Sequence, residues 1–248
     1  MGWFNTAVER KGKGILLALF VGACASSGII SSERIETSAE AQWSQILETV
    51  PQATDQATTQ HVRVLAGELL VAAGEDPSEW QVALFDAPDS INAFALPNKR
   101  IGIFTGLLPH VANDDQLAAI IGHEIAHVRL NHTSERINNG FAPNILIGVA
   151  KLPGAVTDIG PLETAGSIAG GAVAAGTTLP FGRGQELEAD REGLRYLAGA
   201  GYDPAQAAAF WEQMASSGAR KNTIEVLSTH PSDTRRVAAL KKAVAELE

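Results

Sequence analysis

Only one cysteine, Cys24, occurs in 248 residues. That count excludes an internal disulfide framework and any CxxC-type zinc or redox site. Basic runs are missing beyond the first dozen residues, and 19 Lys+Arg stand against 28 Asp+Glu for a formal net charge of −9. Nucleic-acid binding is thereby excluded, since phosphate contacts need clustered Lys and Arg. Aromatic residues make up only 6%, whereas Ala and Gly are frequent, a pattern of closely packed helices. No repeat at solenoid spacing is visible. What is present, 45% hydrophobic and 19% charged residues, describes a globular chain long enough for one ordinary domain and a short appendage.

The appendage reads as an export signal. Arg10, Lys11 and Lys13 precede the apolar run ILLALFVGA at 15–23, too short for a comfortable membrane span of about 20 residues. The run ends in Val21-Gly22-Ala23-Cys24, which resembles a bacterial lipobox, so the single thiol sits where lipidation would consume it. Cleavage after Ala25, in the A-x-A pattern Ala23-Cys24-Ala25, and an uncleaved anchor are the alternatives. The expected organisation is a signal peptide at 1–23, a lipidated Cys24 with a tether to 33, and a single domain at 34–248. Ala25 stands after the cysteine in place of an Asp. By resemblance to bacterial lipoproteins, this favours a periplasmic protein anchored to the outer membrane.

Helical spacing of apolar residues predicts helices over about 33–50 and 58–74, and a strand over 80–85. A hairpin is expected from 92–96 and 100–105 around Pro97-Asn98-Lys99. Asn113, with Gln116 three residues on, caps a helix expected to run to about His132. Residues 141–181 form a Gly/Ala-rich apolar stretch interrupted by Pro153, Asp158, Pro161 and Glu163, and its last charge-free part, 164–182, is read as buried helix and not as a membrane span. Further helices are expected over 185–198, from Asp203-Pro204 to about Met214, and over 233–247.

The chemistry lies in His123-Glu124-Ile125-Ala126-His127. Helical residues four apart share a face, so both imidazoles can reach one metal ion, with Glu124 beside the open position where a water would sit. His132, five residues past His127, falls about 140° around a continuous helix and cannot join the same ion. It is read as a surface or supporting histidine. A third ligand is needed, and Glu186 and Asp190 share a helical face at i,i+4, one to bind metal and the other to orient a ligand histidine. Glu188 points away from Glu186 and is read as a solvated charge.

These blocks resemble the HtpX and CAAX-protease family of gluzincin zinc metallopeptidases, and most closely its small exported lipoprotein members. The likeness covers about residues 62–240 through NAFALPNKRIGIFTGLL (92–108), GHEIAHVRLNH (122–132), RGQELEAD (183–190) with GYDP (201–204), and STHPSDTRR (228–236). The resemblance implies one zinc ion per chain held by His123, His127 and Glu186. It makes Glu124 the general base and Asp190 a supporting residue. Two departures stand out: Asn98-Lys99 where the family often has two glycines, and Gly182 where it usually has a serine before the arginine matching Arg183.

The expected fold is α+β, mostly helical, with a small, largely antiparallel sheet beside the HExxH helix. The expected reaction is zinc-dependent hydrolysis of polypeptides, with unfolded or misassembled envelope proteins as the expected substrates in a quality-control role and Glu124 moving a proton from water to the leaving amine. His230 is a candidate oxyanion donor or latch over the metal, and Arg236 a supporting residue near it. An envelope chaperone or scaffold without turnover, and a zinc hydrolase of cell-wall material, are the rival readings. An edge strand at 100–105 suited to an extended peptide argues for the protease.

Overall fold

Two helices lead into the fold, as the apolar spacing requires. The structure, a computed structural model, describes residues 31–138, 181–216, 229–230 and 234–247. Cys24 with the export signal, and nearly all of the apolar stretch expected as buried helix, lie outside the described residues. Helix α1 (Ser32–Thr49) is capped by the Ser31 hydroxyl, and α2 (Gln56–Ala72) by Asp55, whose carboxylate accepts from the N–H groups of Ala57 and Thr58. Each buries one stripe: Ile35, Ala39, Trp43 and Ile46 on α1, and Val62, Leu65, Ala66 and Leu69 on α2.

The strands are β1 (Gln81–Phe85), β2 (Ala93–Leu96) and β3 (Arg100–Phe104), in the order β1-β3-β2. β2 and β3 form the expected antiparallel hairpin, but β1 pairs with β3 in parallel. The sheet is therefore mixed, not largely antiparallel, and β3 is its central strand, not an edge. The physical reason is packing: 86–92 carries the chain from β1 across to β2, and the hairpin then returns β3 into the gap between them. β1's outer side is met by the segment after α1, with Ala53 N–H donating to Leu84 and Asp86 N–H to Pro51. Asn92 C=O accepts from Phe104 N–H, so Asn92 and Phe94 turn their polar groups to β3 and Ala93 and Ala95 turn theirs outward. Among the described residues no strand pairs with the outer side of β2, where Ala93 N–H donates instead to Asn92 Oδ1 at 3.0 Å.

Four aromatics share one sheet face, where Trp43 of α1 packs edge-on to Phe85 and Phe94, with Phe104 beside them. Each such fully buried ring is worth roughly 1.5–3 kcal/mol. The other face packs on α2 and α3 (Asp114–Arg129) in the larger core, which α5 (Arg183–Ala200), α6 (Ala205–Ser216) and α7 (Thr234–Ala245) complete. At the hairpin tip, Lys99 takes a left-handed conformation with φ 63°, a backbone state that favours glycine. Its ammonium lies 3.0 Å from Glu75 and 2.5 Å from Glu79. Among the described residues no helix is long and apolar enough to cross a membrane.

α3 begins as expected, with Asn113 Oδ1 accepting from Gln116 N–H at 3.0 Å. It ends earlier than expected. The helix stops at Arg129, Asn131 turns left-handed with φ 59°, and a separate helix α4 (His132–Asn138) starts at once. Asparagine tolerates that conformation at a helix end, and here it redirects the chain without glycine or proline.

Candidate metal centre

Two helices carry the chemistry, and they touch through glycines. On α5, Gly193 lies against the backbone of α3: a Cβ there would stand 3.1 Å from His123 N and 3.2 Å from Gly122 C. That approach sets Glu186 and Asp190 of α5 opposite His123 and His127 of α3. The expected serine cap of α5 is absent, but Gln185 substitutes in part by accepting from Gly182 N–H at 3.1 Å.

His123, His127, Glu186 and His230 converge, with one donor atom from each within 4.8 Å of all the others, and all four are buried. His123 Nε2 is 3.0 Å from His127 Nε2 and 3.2 Å from His230 Nδ1. Glu186 Oε1 is 3.0 Å from His230 Nδ1 and 3.4 Å from His127 Nε2. Donors at the corners of a tetrahedral zinc site, with bonds near 2.0–2.2 Å, stand about 3.3 Å apart. The spacing matches that figure. Neutral imidazole nitrogens crowded this closely cannot all hydrogen-bond to one another, so the donor set suits a cation.

Around it, each group has a partner. Asp190 Oδ1 is 3.0 Å from His123 Nδ1, on the ring side away from the cluster. Arg236 grips Asp190 through Nε at 2.8 Å and a terminal nitrogen at 2.7 Å, reaches Glu186 at 2.5 Å, and stacks on Trp211. Its guanidinium thus faces both carboxylates, the supporting position expected of it. Glu124 Oε1 lies 3.1 Å from His230 Nε2. His230 therefore touches the donor cluster with one nitrogen and Glu124 with the other.

Electrostatics follow from this layout. Burial pushes Glu186 up, but the charge of His230 and hydrogen bonds from the histidines hold it well below the usual carboxylate range. Burial likewise raises Glu124, and His230 outweighs it, leaving the carboxylate ionised as a base must be. Burial, with the charge of His123 added, drives His127 down to about 3, so it is neutral and offers a lone pair. Burial opposes charge on His230, yet Glu186 and Glu124 raise it to about 9. For Asp190 the Arg236 charge overcomes burial and holds the carboxyl low.

The structure narrows the open reading of His132 from surface or support to a buried position, qualifies that of Glu188, and adds Phe181. His132 is buried and lies 3.1 Å from His127, and the exposed Glu188 is not simply solvated, since it meets His132 at 3.2 Å. Phe181, at the end of the apolar stretch, stacks on His127 with centroids 3.9 Å apart and on His230 at 5.3 Å. Arg136 covers the Phe181 ring at 4.6 Å. An asparagine just before His132 was the available signal for the first; nothing marked Phe181. Cys24 lies outside the described residues.

Residues 55–244 match peptidase family M48. The chain is 30% identical over 192 residues to the mitochondrial metalloendopeptidase OMA1 of Schizosaccharomyces pombe, covering 77% of this chain and 54% of that one. It is 36% identical over 171 residues to OMA1 of Arabidopsis thaliana, with 66% and 31% covered. Against the beta-barrel assembly-enhancing protease of Escherichia coli it is 28% identical over 198 residues, with 78% and 40% covered. The chain thus spans between about a third and a half of these relatives' lengths. They are OMA1 and barrel-assembly proteases, not HtpX or CAAX proteases, so the resemblance holds at the level of the family. The matched span contains every residue of the donor cluster, and the chain belongs to peptidase family M48.

Proposed function

We propose that the protein is a zinc-dependent endopeptidase of the bacterial cell envelope that cleaves unfolded or misassembled envelope proteins. The observation that carries this reading is the convergence of His123, His127 and Glu186 at tetrahedral spacing, with an ionised Glu124 alongside. Zinc bound there supplies a more acidic water and a polarised scissile carbonyl. His123, His127 and Glu186 hold the ion. Asp190 fixes His123 in the tautomer that leaves Nε2 free, and Arg236 balances the two carboxylates it grips. Glu124 takes a proton from the attacking water and delivers it to the leaving amine.

His230 has two roles in this scheme. Seated as described, it occupies a ligand position through Nδ1 and engages the base through Nε2, where an attacking water would otherwise contact both. The seated histidine is a latch. Withdrawn by a short distance, the same imidazole donates to the oxyanion that forms opposite Glu124. Extended substrate adds to β2 at Ala95, whose edge side no strand covers among the described residues, and not to the central β3; the neighbouring Ala93 N–H is already taken by Asn92 Oδ1 at 3.0 Å. The export-like segment and the likeness to a bacterial barrel-assembly protease support an envelope address with Cys24 as lipid anchor. OMA1 relatives are mitochondrial by name, so the address rests mainly on that segment.

Metal analysis and casein cleavage by the native chain and Glu124→Gln test the reading together. One zinc per chain is expected in both, with cleavage lost in the variant. Native-rate turnover by Glu124→Gln would overturn the mechanism, and failure of Cys24 to take up labelled fatty acid would replace the anchor with simple secretion.

A further inference from the structure

The two histidines of the HExxH motif are supported from behind in different ways. His123 meets a carboxylate directly, Asp190 at 3.0 Å. His127 meets another imidazole: its Nδ1 is 3.1 Å from His132 Nδ1, with the ring planes at 68°. His132 Nε2 is in turn 3.2 Å from Glu188 Oε2. His132 is 3% exposed, whereas the Glu188 side chain is 63% exposed, so the chain of contacts runs from the donor cluster to the surface.

On a continuous helix this could not occur, because a residue five positions on points elsewhere. The break at Leu130 and the left-handed Asn131 bring the first residue of α4 back beneath His127. Nothing in the catalytic scheme uses that return.

We propose that His132 and Glu188 are positioning residues for the metal site, a relay that holds His127 in its metal-binding tautomer and orientation. The inference rests on reading His127 as a ligand. Hydrogen-bond polarity then permits one assignment. Nε2 of His127 faces the cluster, 3.0 Å from His123 Nε2, and must present its lone pair. Its proton therefore resides on Nδ1 and is donated to His132 Nδ1, which must accept. His132 consequently carries its own proton on Nε2 and donates it to the Glu188 carboxylate. Each contact has one donor and one acceptor, and no other placement of the protons satisfies both contacts and the cluster. The carboxylate makes His132 a better acceptor, and His132 makes His127 a more basic ligand.

The test is the zinc dissociation constant of the full chain, measured by chelator competition, with the melting temperature of the metal-free protein recorded in parallel. His132→Leu fills the space without accepting, and should weaken zinc binding about 10- to 100-fold. His132→Asn returns an acceptor oxygen near the Nδ1 position and should recover most of that loss. Glu188→Ala changes an exposed side chain, so it should fold normally. It should weaken zinc about 2- to 10-fold, the worth of one net hydrogen bond, without moving the metal-free melting temperature. Native zinc affinity in both His132→Leu and Glu188→Ala overturns the relay. Equal losses in His132→Leu and His132→Asn, with lowered metal-free melting temperatures, reduce His132 to a packing residue and overturn it too. A native chain that binds no zinc would instead defeat the reading of His127 as a ligand.

Discussion

Gly193 of α5 lies flat against the peptide of His123 on α3, so the first metal-facing histidine has a neighbouring helix backbone where a side chain would normally be. The contact sets the separation between the helix that carries His123 and His127 and the helix that carries Glu186. Gly193→Val puts three carbons into that gap and should cost about 1–3 kcal/mol through forced separation. A melting temperature lowered by several degrees, together with weaker zinc binding, is the expected result. Unchanged zinc affinity would mean that the site tolerates a wider helix pair.

His230→Ala separates the two roles of that histidine. Zinc should be retained by the other three residues, and kcat on unfolded casein should fall about 100-fold as the oxyanion loses its donor. A rise in activity would instead show that His230 serves only as the latch.

Without metal, the pH dependence of stability follows from the same contacts. His230 is raised from 6.5 to about 9 in the folded state. Its pairing with Glu186 and Glu124 therefore contributes fully below about pH 6.5 and is lost as pH climbs through 9. Glu124 and Glu186 shift the opposite way, so their contributions hold above pH 4.5 and disappear on acidification. Thermal melts of chelator-treated protein should drop between pH 7 and 9.5, and His230→Ala should flatten the drop. A native melting temperature that does not move over this range would contradict the pairing.

The substrate edge is testable at Ala95. Its N–H points away from β3, so Ala95→Pro leaves the β2–β3 ladder intact and removes one donor from the open edge. KM for extended peptides should rise severalfold with the metal content unchanged. Proline at Ile103, in the central strand, would break the sheet and report only on folding.

The clustered residues of α3 and α5 were legible because helical spacing is local: His123 and His127, and likewise Glu186 and Asp190, stand four positions apart, which puts each pair on one face wherever the helix sits. The start of α3 was legible from its cap Asn113, and the hairpin from Pro97-Asn98-Lys99, whereas the Asp55 cap of α2 was not picked out. Strand order was not, because the parallel pairing of β1 with β3 depends on a connection that runs past the hairpin, and periodicity says nothing about partners. The choice between surface and support for His132 stayed open for a related reason. Its position depends on the single left-handed residue before it, and Leu130-Asn131 carries no glycine or proline to announce a break. Phe181 stood at the end of an apolar run that looked like ordinary buried helix.

Phe181 also ties two distant parts of the chain together. Its N–H donates to Thr229 C=O at 3.2 Å, and its ring lies on both His127 and His230. Lifting His230 off the cluster therefore strips aromatic cover from His127 in the same movement. Catalytic readiness and retention of the ion are set against each other, so a chelator should disarm the working enzyme faster than the idle one.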